Sequence, residues 1–487
     1  MGHILSDGIH ERARSGQKGD AMRWRQAWVG IALAGFVALG HAGTLPSVEN
    51  KTTEFTLPNG LRLIVKEDHR APTVVNMVWY RAGSIDEFNG TTGVAHVLEH
   101  MMFRGTRRIG PGEFSRRVAA LGGHENAFTS KDYTAYFQQI GKSHLPEMMA
   151  LEADRMQHLA LSASQFNKEI QVVMEERRLR TEDQPRALLF EQLMATALVA
   201  NPSRRPIIGW MNDLQHMRVS DAQTWYRRWY APNNAVVVVC GDVDPAQVKQ
   251  WAEKYFGGIP ARPLPQRRPQ TEPAQLGERR ISVKAPAENP YVALAFRAPR
   301  LKDVAADDDV YALQVLAGVL DGYSDARLTR QLIRTQRLAN EAGANYDGIG
   351  RGPQFFILDG VPAQGHTAAQ LEQALRAQIA DIAAHGVTEA ELRRVKAQVV
   401  AAQVYKRDSL LGQAMEIGAN EMDGISWREL DLMLEKIAQV TPAQVQAVAG
   451  KYFSDDRLTV ATLVPQPIDA QTLKRRAQGA GNLNQLR

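Results

Sequence analysis

Two short stretches of this chain recur in the same order at nearly the same distance. Tyr80-Arg81-Ala82 closes one apolar run, and Phe296-Arg297-Ala298 closes another 216 positions later. Val219-Ser220-Asp221-Ala222-Gln223 leads into a helical pattern and the strand-like Ala235–Val239. The same plan returns about 221 positions on, as Val440-Thr441-Pro442-Ala443-Gln444, a helical pattern and Leu458–Leu463. Repetition at one offset implies two copies of one supersecondary plan, so the expected fold is α+β with two homologous domains. Between the copies, Pro260, Pro263, Pro265, Pro269 and Pro273 crowd beside Arg267 and Arg268, a composition that builds neither helix nor central strand. We therefore divide the chain into an N-terminal domain at 50–257, an extended linker at 258–279, a C-terminal domain at 280–465 and a mobile tail at 466–487.

Local patterns fill in the first copy. Pro58-Asn59-Gly60 between two alternating runs signals a hairpin, and Val74–Tyr80 reads as a strand. Helical patterns then run to about Tyr230, broken by one strand-like run from Ala127 to Ile140. Pro245–Phe256 is a helix with Pro in its first turn.

The 487 residues hold a single cysteine, Cys240, which excludes a disulfide framework within the chain. Lys and Arg outnumber Asp and Glu by 58 to 53, a net +5 too dispersed for a nucleic-acid partner. Residues 1–42 have the layout of a secretory signal: Arg23 and Arg25, the apolar run Trp28–Leu39, then the small-x-small Gly40-His41-Ala42. Residues 1–21 precede Met22 and fit an over-extended start. The apolar run is shorter than the roughly 20 residues of a membrane span. The expectation is an exported, periplasmic protein; the alternative is an inner-membrane anchor.

The chemistry concentrates in Thr92-Gly93-Val94-Ala95-His96-Val97-Leu98-Glu99-His100-Met101-Met102-Phe103. On a helix capped by Thr91 or Thr92 and stopped near Gly105, His96 and His100 project from one face, close enough to share a cation. Glu99 borders that face, and the remaining positions are apolar. By composition this five-residue spacing arises by chance in on the order of one chain in a hundred. Two histidines and an acid converging in a dry place are costly unless something pairs them. A hydrolytic zinc site needs a third protein ligand and an open position for water. The candidates are His124, Glu169, Glu175 and Glu176. In a helical reading Glu169 and Glu176 share a face two turns apart while Glu175 turns about 100° away. Spacing does not choose among them.

Three motifs together closely resemble the pitrilysin/insulinase (inverzincin) family of zinc peptidases, in its mitochondrial-processing-peptidase-like branch with bacterial exported members. They are Gly83-Ser84-Ile85-Asp86-Glu87, the His96–His100 segment through Thr106, and Gly122-Gly123-His124-Glu125-Asn126-Ala127-Phe128-Thr129-Ser130. The resemblance spans nearly all of 50–465. It implies two half-shells closing as a clamshell around a chamber, and one Zn2+ per chain. It also implies His96, His100 and Glu176 as ligands, Glu169 as a supporting glutamate and Glu99 as general base. Asn126 and Ala127 match the edge strand that receives the substrate backbone, which leaves His124 a variable position.

One departure stands out. The family pairs an arginine with a tyrosine six or seven residues on; Arg334 fits, but the tyrosine slot falls on Asn340 or Glu341. In two-chain members one chain bears the metal and the other the arginine–tyrosine pair. The resemblance thus implies a zinc endopeptidase acting on unfolded or extended peptides, with Glu99 activating a zinc-bound water and Arg334 as a substrate-binding candidate. A homodimer, or a heterodimer with a homologous chain supplying the missing pair, is expected. The alternative is a non-catalytic scaffold, or a metal-bearing subunit inactive without its partner.

Overall fold

Successive residues of Val74–Tyr80 point to opposite faces, and both faces are buried. Val74, Val78 and Tyr80 enter one apolar core, whereas Val75, Met77 and Trp79 enter another. Such a strand needs cover on each side. The computed structural model describes residues 51–268 and 270–469. The expected signal segment 1–42 and the tail beyond 469 lie outside the described residues.

The N-terminal half begins with β1 (Thr52–Thr56), β2 (Arg62–Glu67), β3 (Thr73–Tyr80), α1 (Val94–Met101), α2 (Glu113–Ala120), β4 (His124–Thr129) and β5 (Thr134–Gly141). It continues with α3 (Leu145–His158), α4 (Ala163–Arg177), α5 (Pro185–Ala197), α6 (Met211–His216), α7 (Val219–Trp229), β6 (Ala235–Gly241) and α8 (Pro245–Phe256). The C-terminal half opens with β7 (Arg279–Pro286), β8 (Tyr291–Ala298), α9 (Asp308–Asp321), β9 (Ala339–Tyr346) and β10 (Gln354–Pro362). It ends with α10 (Ala368–His385), α11 (Glu389–Asp408), α12 (Leu410–Asp423), α13 (Leu430–Gln439), α14 (Pro442–Lys451) and β11 (Leu458–Gln466).

Topology makes the repeat visible. The first sheet runs β1-β2-β6-β3-β5-β4 and the second β7-β11-β8-β10-β9. With β1 set aside, the two orders superimpose strand for strand. Each contains one parallel pair, β2 with β6 and β7 with β11, in an otherwise antiparallel sheet. β4 and β9 are the corresponding edge strands. α9 occupies the chain position that α1 holds in the first half, but with apolar residues where α1 has its histidines.

Each half covers its sheet on one face with its own helices and on the other with a helix from its partner. α12 lays Ala414, Ile417 and Met422 against Val75, Met77 and Trp79 of the first sheet. Reciprocally, α5 lays Leu189, Leu193 and Ala197 against Tyr291, Ala293 and Ala295 of the second. At Gly418 the exchange is tight: a Cβ there would lie 2.0 Å from the Trp79 ring.

Three expectations need correction. The single run Ala127–Ile140 is two antiparallel strands, β4 and β5, because Ser130 and Tyr133 close a turn between them. Gln466 belongs to β11, paired with Pro286, rather than to a tail. The described residues of 258–278 form no helix or strand, but the stretch is not a free spacer. Glu272 accepts hydrogen bonds from the amides of Val199, Ala200 and Asn201 at 2.6–2.9 Å. Arg267 stacks on Trp229 and bonds Asp86.

Two predictions follow from the exchange. Gly→Ala in a helix ordinarily gains up to about 1 kcal/mol. At Gly418 overpacking against the immovable Trp79 costs about 1–3 kcal/mol, so Gly418→Ala should lower the thermal midpoint. An unchanged or raised midpoint would contradict the packing. At the end of α12, burial and the charge of Asp132 push the Asp423 carboxyl up to about 8, with Arg351 offsetting only part. A raised folded pKa means stability present at acidic pH and lost as pH rises towards and through that value. Asp423→Asn should flatten this decline, which falls between about pH 4 and pH 8, in a melting-versus-pH series, and a decline left unchanged would exclude the assignment.

Candidate metal centre

α1 is short, and its sequence fixes which face looks where. Val94, Ala95, Val97, Leu98 and Met101 are buried in the N-terminal core, which leaves His96, Glu99 and His100 on the remaining stripe. The expected threonine cap is absent. Thr92 Oγ1 instead donates to Asp213 at 2.6 Å and accepts from the Trp210 amide at 2.9 Å. The helix N-terminus is satisfied by the buried carboxylate of Glu87, which accepts from the Gly93 amide at 2.8 Å and the Ala95 amide at 2.9 Å. Burial pushes this carboxyl up to about 8 against the pull of the same two amides, whose hydrogen bonds satisfy donors the helix start leaves free. Gly93, at φ 88°, packs so closely on Gly209 that a Cβ would sit 2.5 Å from the Ile208 carbonyl. The neighbouring Asp86 receives Arg267 at 2.8 Å and Arg351 at 2.7 Å, tying the loop before α1 to the linker and to the second half.

Glu176 arrives on α4. Its Oε2 lies 3.2 Å from His100 Nε2 and 3.7 Å from His96 Nε2. Donors bound at about 2.0–2.1 Å on a tetrahedron sit about 3.3 Å apart, so Glu176 Oε2 stands near ligand spacing from each imidazole. Among the described residues they form the one group of three that could hold a metal ion, all ligand atoms lying within 4.8 Å of one another. Two imidazoles and a carboxylate are a donor set that suits zinc.

The surrounding groups orient these three. Glu169 Oε1 lies 3.0 Å from His100 Nδ1, and its other oxygen lies 2.6 Å from Arg104 Nε. Arg180, one turn beyond Glu176, holds Glu176 Oε1 at 3.0 Å and leaves Oε2 to face the histidines. Glu99 accepts a hydrogen bond from Thr129 Oγ1, on edge strand β4, at 2.5 Å.

Electrostatics separates the acids. Burial pushes Glu99 up to about 7, against the opposing effects of His100 and Thr129. Burial also raises Glu176, but the His100 hydrogen bond and the His96 and Arg180 charges override it and hold the carboxyl near about 2. Burial lowers His100, yet its bonds to Glu169 and Glu176 carry it up to about 10. His96, buried and next to His100, falls to about 4.

Of the four candidates for third ligand, Glu176 joins the histidines and Glu169 stands behind His100. Glu175 faces solvent and pairs with Arg178, and His124 is exposed at the start of β4. Asn126 and Ala127 lie on β4, where the Ala127 amide donates to Asn126 Oδ1 at 2.8 Å. Arg334 is exposed and bonded to Asp325 and the Ser324 carbonyl. Asn340 and Glu341 fall on β9, and Glu341 is paired with Arg186 at 2.7 Å. Arg104, Thr129 and Arg180 were not singled out from sequence. Arg180 stands four positions after Glu176, a helical spacing that signals contact, whereas Arg104 reaches Glu169 from the turn after α1. The Thr129 contact depends on the fold of β4.

Comparison with known proteins identifies the family. Residues 62–210 match the family description "Insulinase (Peptidase family M16)", and residues 217–399 match "Peptidase M16 inactive domain". The chain is 30% identical to the zinc protease PqqE of Helicobacter pylori over 449 residues, covering 90% of this chain and 98% of that one. The crystal structure of a protease from Helicobacter pylori superimposes with TM-score 0.81 at 28% identity, covering 85% of this chain and all of that one. The periplasmic protease PqqL from Escherichia coli has the same fold at TM-score 0.73 and 20% identity, covering 90% of this chain and 51% of that one. The chain belongs to the insulinase (M16) peptidase family, and its fold is that family's two-domain clamshell.

If Glu169 orients His100, Glu169→Gln should weaken zinc affinity by about 10–100-fold in a chelator competition. Affinity equal to wild type would show that Glu169 is only a buried structural acid.

Proposed function

We propose that this chain is a zinc-dependent endopeptidase that cleaves extended or unfolded peptides. One observation carries the reading: Glu176 Oε2 meets both imidazole Nε2 atoms at 3.2 and 3.7 Å, with the buried Glu99 on the same helix face. A zinc ion bound there would polarise the scissile carbonyl and bring the pKa of water from 15.7 towards about 7. Glu99, raised to about 7, is poised to take the attacking water's proton and return it to the leaving amine. Thr129 keeps that carboxylate aimed, and because Thr129 belongs to β4 the base is registered against the same strand that would receive substrate.

β4 pairs only with β5, so its outer edge can accept a peptide as an added strand. The Ala127 amide, now bonded to Asn126 Oδ1, is the donor a substrate carbonyl would take over. Main-chain pairing favours extended chains over particular sequences.

A second reading concerns partners. Arg334 is bonded to Asp325, and Glu341 to Arg186, so the region that would hold an arginine–tyrosine pair is committed elsewhere. This supports a second copy, or a homologous chain, completing the site. Periplasmic residence is supported by the signal-like layout of residues 23–42 and by the periplasmic neighbour from Escherichia coli. Among the described residues no helix is long and apolar enough to cross a membrane.

Glu99→Gln should retain zinc, measured by metal analysis, while kcat on an unstructured peptide falls by about 10²–10⁴-fold. Wild-type turnover in that variant would remove Glu99 from the chemistry. A correctly folded protein that takes up no zinc would favour the scaffold.

A further inference from the structure

A pocket of about 1350 Å³ lies between the two halves, walled by the linker, the loop after β8 and the loop after β9. Eight cations line it; Arg267 and Arg351 pair with Asp86, which leaves six, Arg228, Arg268, Arg297, Arg300, Lys302 and Arg457. Among the described residues none of the six forms an ion pair with a carboxylate, in a protein whose arginines elsewhere are widely paired. Three are fixed by main-chain carbonyls instead. Arg297 Nη1 donates to the Pro273 carbonyl at 2.6 Å, Arg300 Nη1 to Gly350 at 3.1 Å, and Arg457 Nη1 to Arg297 at 3.2 Å. A carbonyl orients a guanidinium without cancelling its charge.

Five acids stand on the same walls against the eight cations, which leaves the lining net positive by three, and none of the five is ion-paired with any of the six. Asp86 is engaged by Arg267 and Arg351, and Glu87 by the amides of α1. Glu272 is engaged by three linker-facing amides, and Asp307 by the amides of Lys302 and Asp303. Only Asp456 is left on the rim. Burial, with the nearby Arg279 and Arg457 charges, holds Arg297 below its ordinary value even though Glu272 opposes the shift. Oriented like charges in a concave, partly desolvated wall attract anions strongly.

Size and place select among anions. The volume exceeds the roughly 300–1,000 Å³ of ordinary small-molecule pockets and suits several residues of extended peptide. The wall residue Glu87 also caps α1, so the pocket adjoins the metal helix. We propose that this pocket is a docking site for an acidic segment of the peptide substrate, remote from the scissile bond. The proposal builds on the peptidase reading and adds a charge preference to it.

The test separates the two. The chelator-treated full chain is titrated by fluorescence anisotropy with a short glutamate-rich peptide and with its glutamine-rich twin. The acidic peptide should bind about tenfold or more tightly, and added salt should erode the difference. The triple variant Arg228→Gln, Arg268→Gln, Lys302→Gln changes three exposed side chains and should abolish the preference while leaving the fold intact. Equal binding of the two peptides, or a full preference in the triple variant, would overturn the proposal. So would binding of inorganic triphosphate without binding of the acidic peptide. Cleavage of the glutamine-rich peptide by the zinc-loaded chain reports the peptidase reading separately.

Discussion

Glu176 reaches the histidines on a helix whose continuation belongs to the other half of the molecule. α4 passes through a π-helical turn at Arg178–Glu182 into α5, and α5 is packed beneath the second sheet. Arg177, next to the ligand, is buried and pairs with Glu191 of α5 through two hydrogen bonds of 2.8 and 3.0 Å. The position of Glu176 is therefore set by how the halves interlock, not by the N-terminal half alone. The second copy lacks a counterpart of the His96–His100 pair, and it is the surface against which the copy carrying the candidate metal centre is held. Cutting at the linker would separate each sheet from a helix that covers it.

The acids around the site show how burial and neighbours divide labour. Glu176 and Glu99 stand within one small region, yet one carboxyl is held near about 2 and the other near about 7. The first has imidazoles and Arg180 around it and stays an anion suited to a cation. The second is raised by burial, against the smaller opposing effects of His100 and Thr129. Two carboxylates pushed apart in this way are the usual mark of distinct chemical roles.

Much of this was readable from residues alone. The exposed stripe of α1 follows from helical periodicity, and the repeat follows from matched runs at one offset. Spacing narrowed the third ligand to four candidates; the family resemblance singled out Glu176, and geometry agrees. What escaped was long-range. No local pattern in α5 or α12 says that each covers the opposite sheet. Thr92 has the composition of a cap, but Asp213, over a hundred residues away, takes its hydroxyl and leaves the helix end to Glu87. The β4–β5 turn was missed because Tyr133 and Thr134 continue the strand-like composition. Arg267 and Arg268 looked like linker charge, although Arg267 bonds Asp86 in the loop before α1.

X-ray absorption at the zinc edge of the reconstituted protein tests the central claim most directly. The account predicts two imidazole nitrogens and one carboxylate oxygen from the chain, all at about 2.0–2.2 Å, with one further light atom. The carboxylate contribution should disappear in Glu176→Gln. A sulfur shell, a site without imidazole scattering, or a spectrum unchanged by that substitution would contradict it.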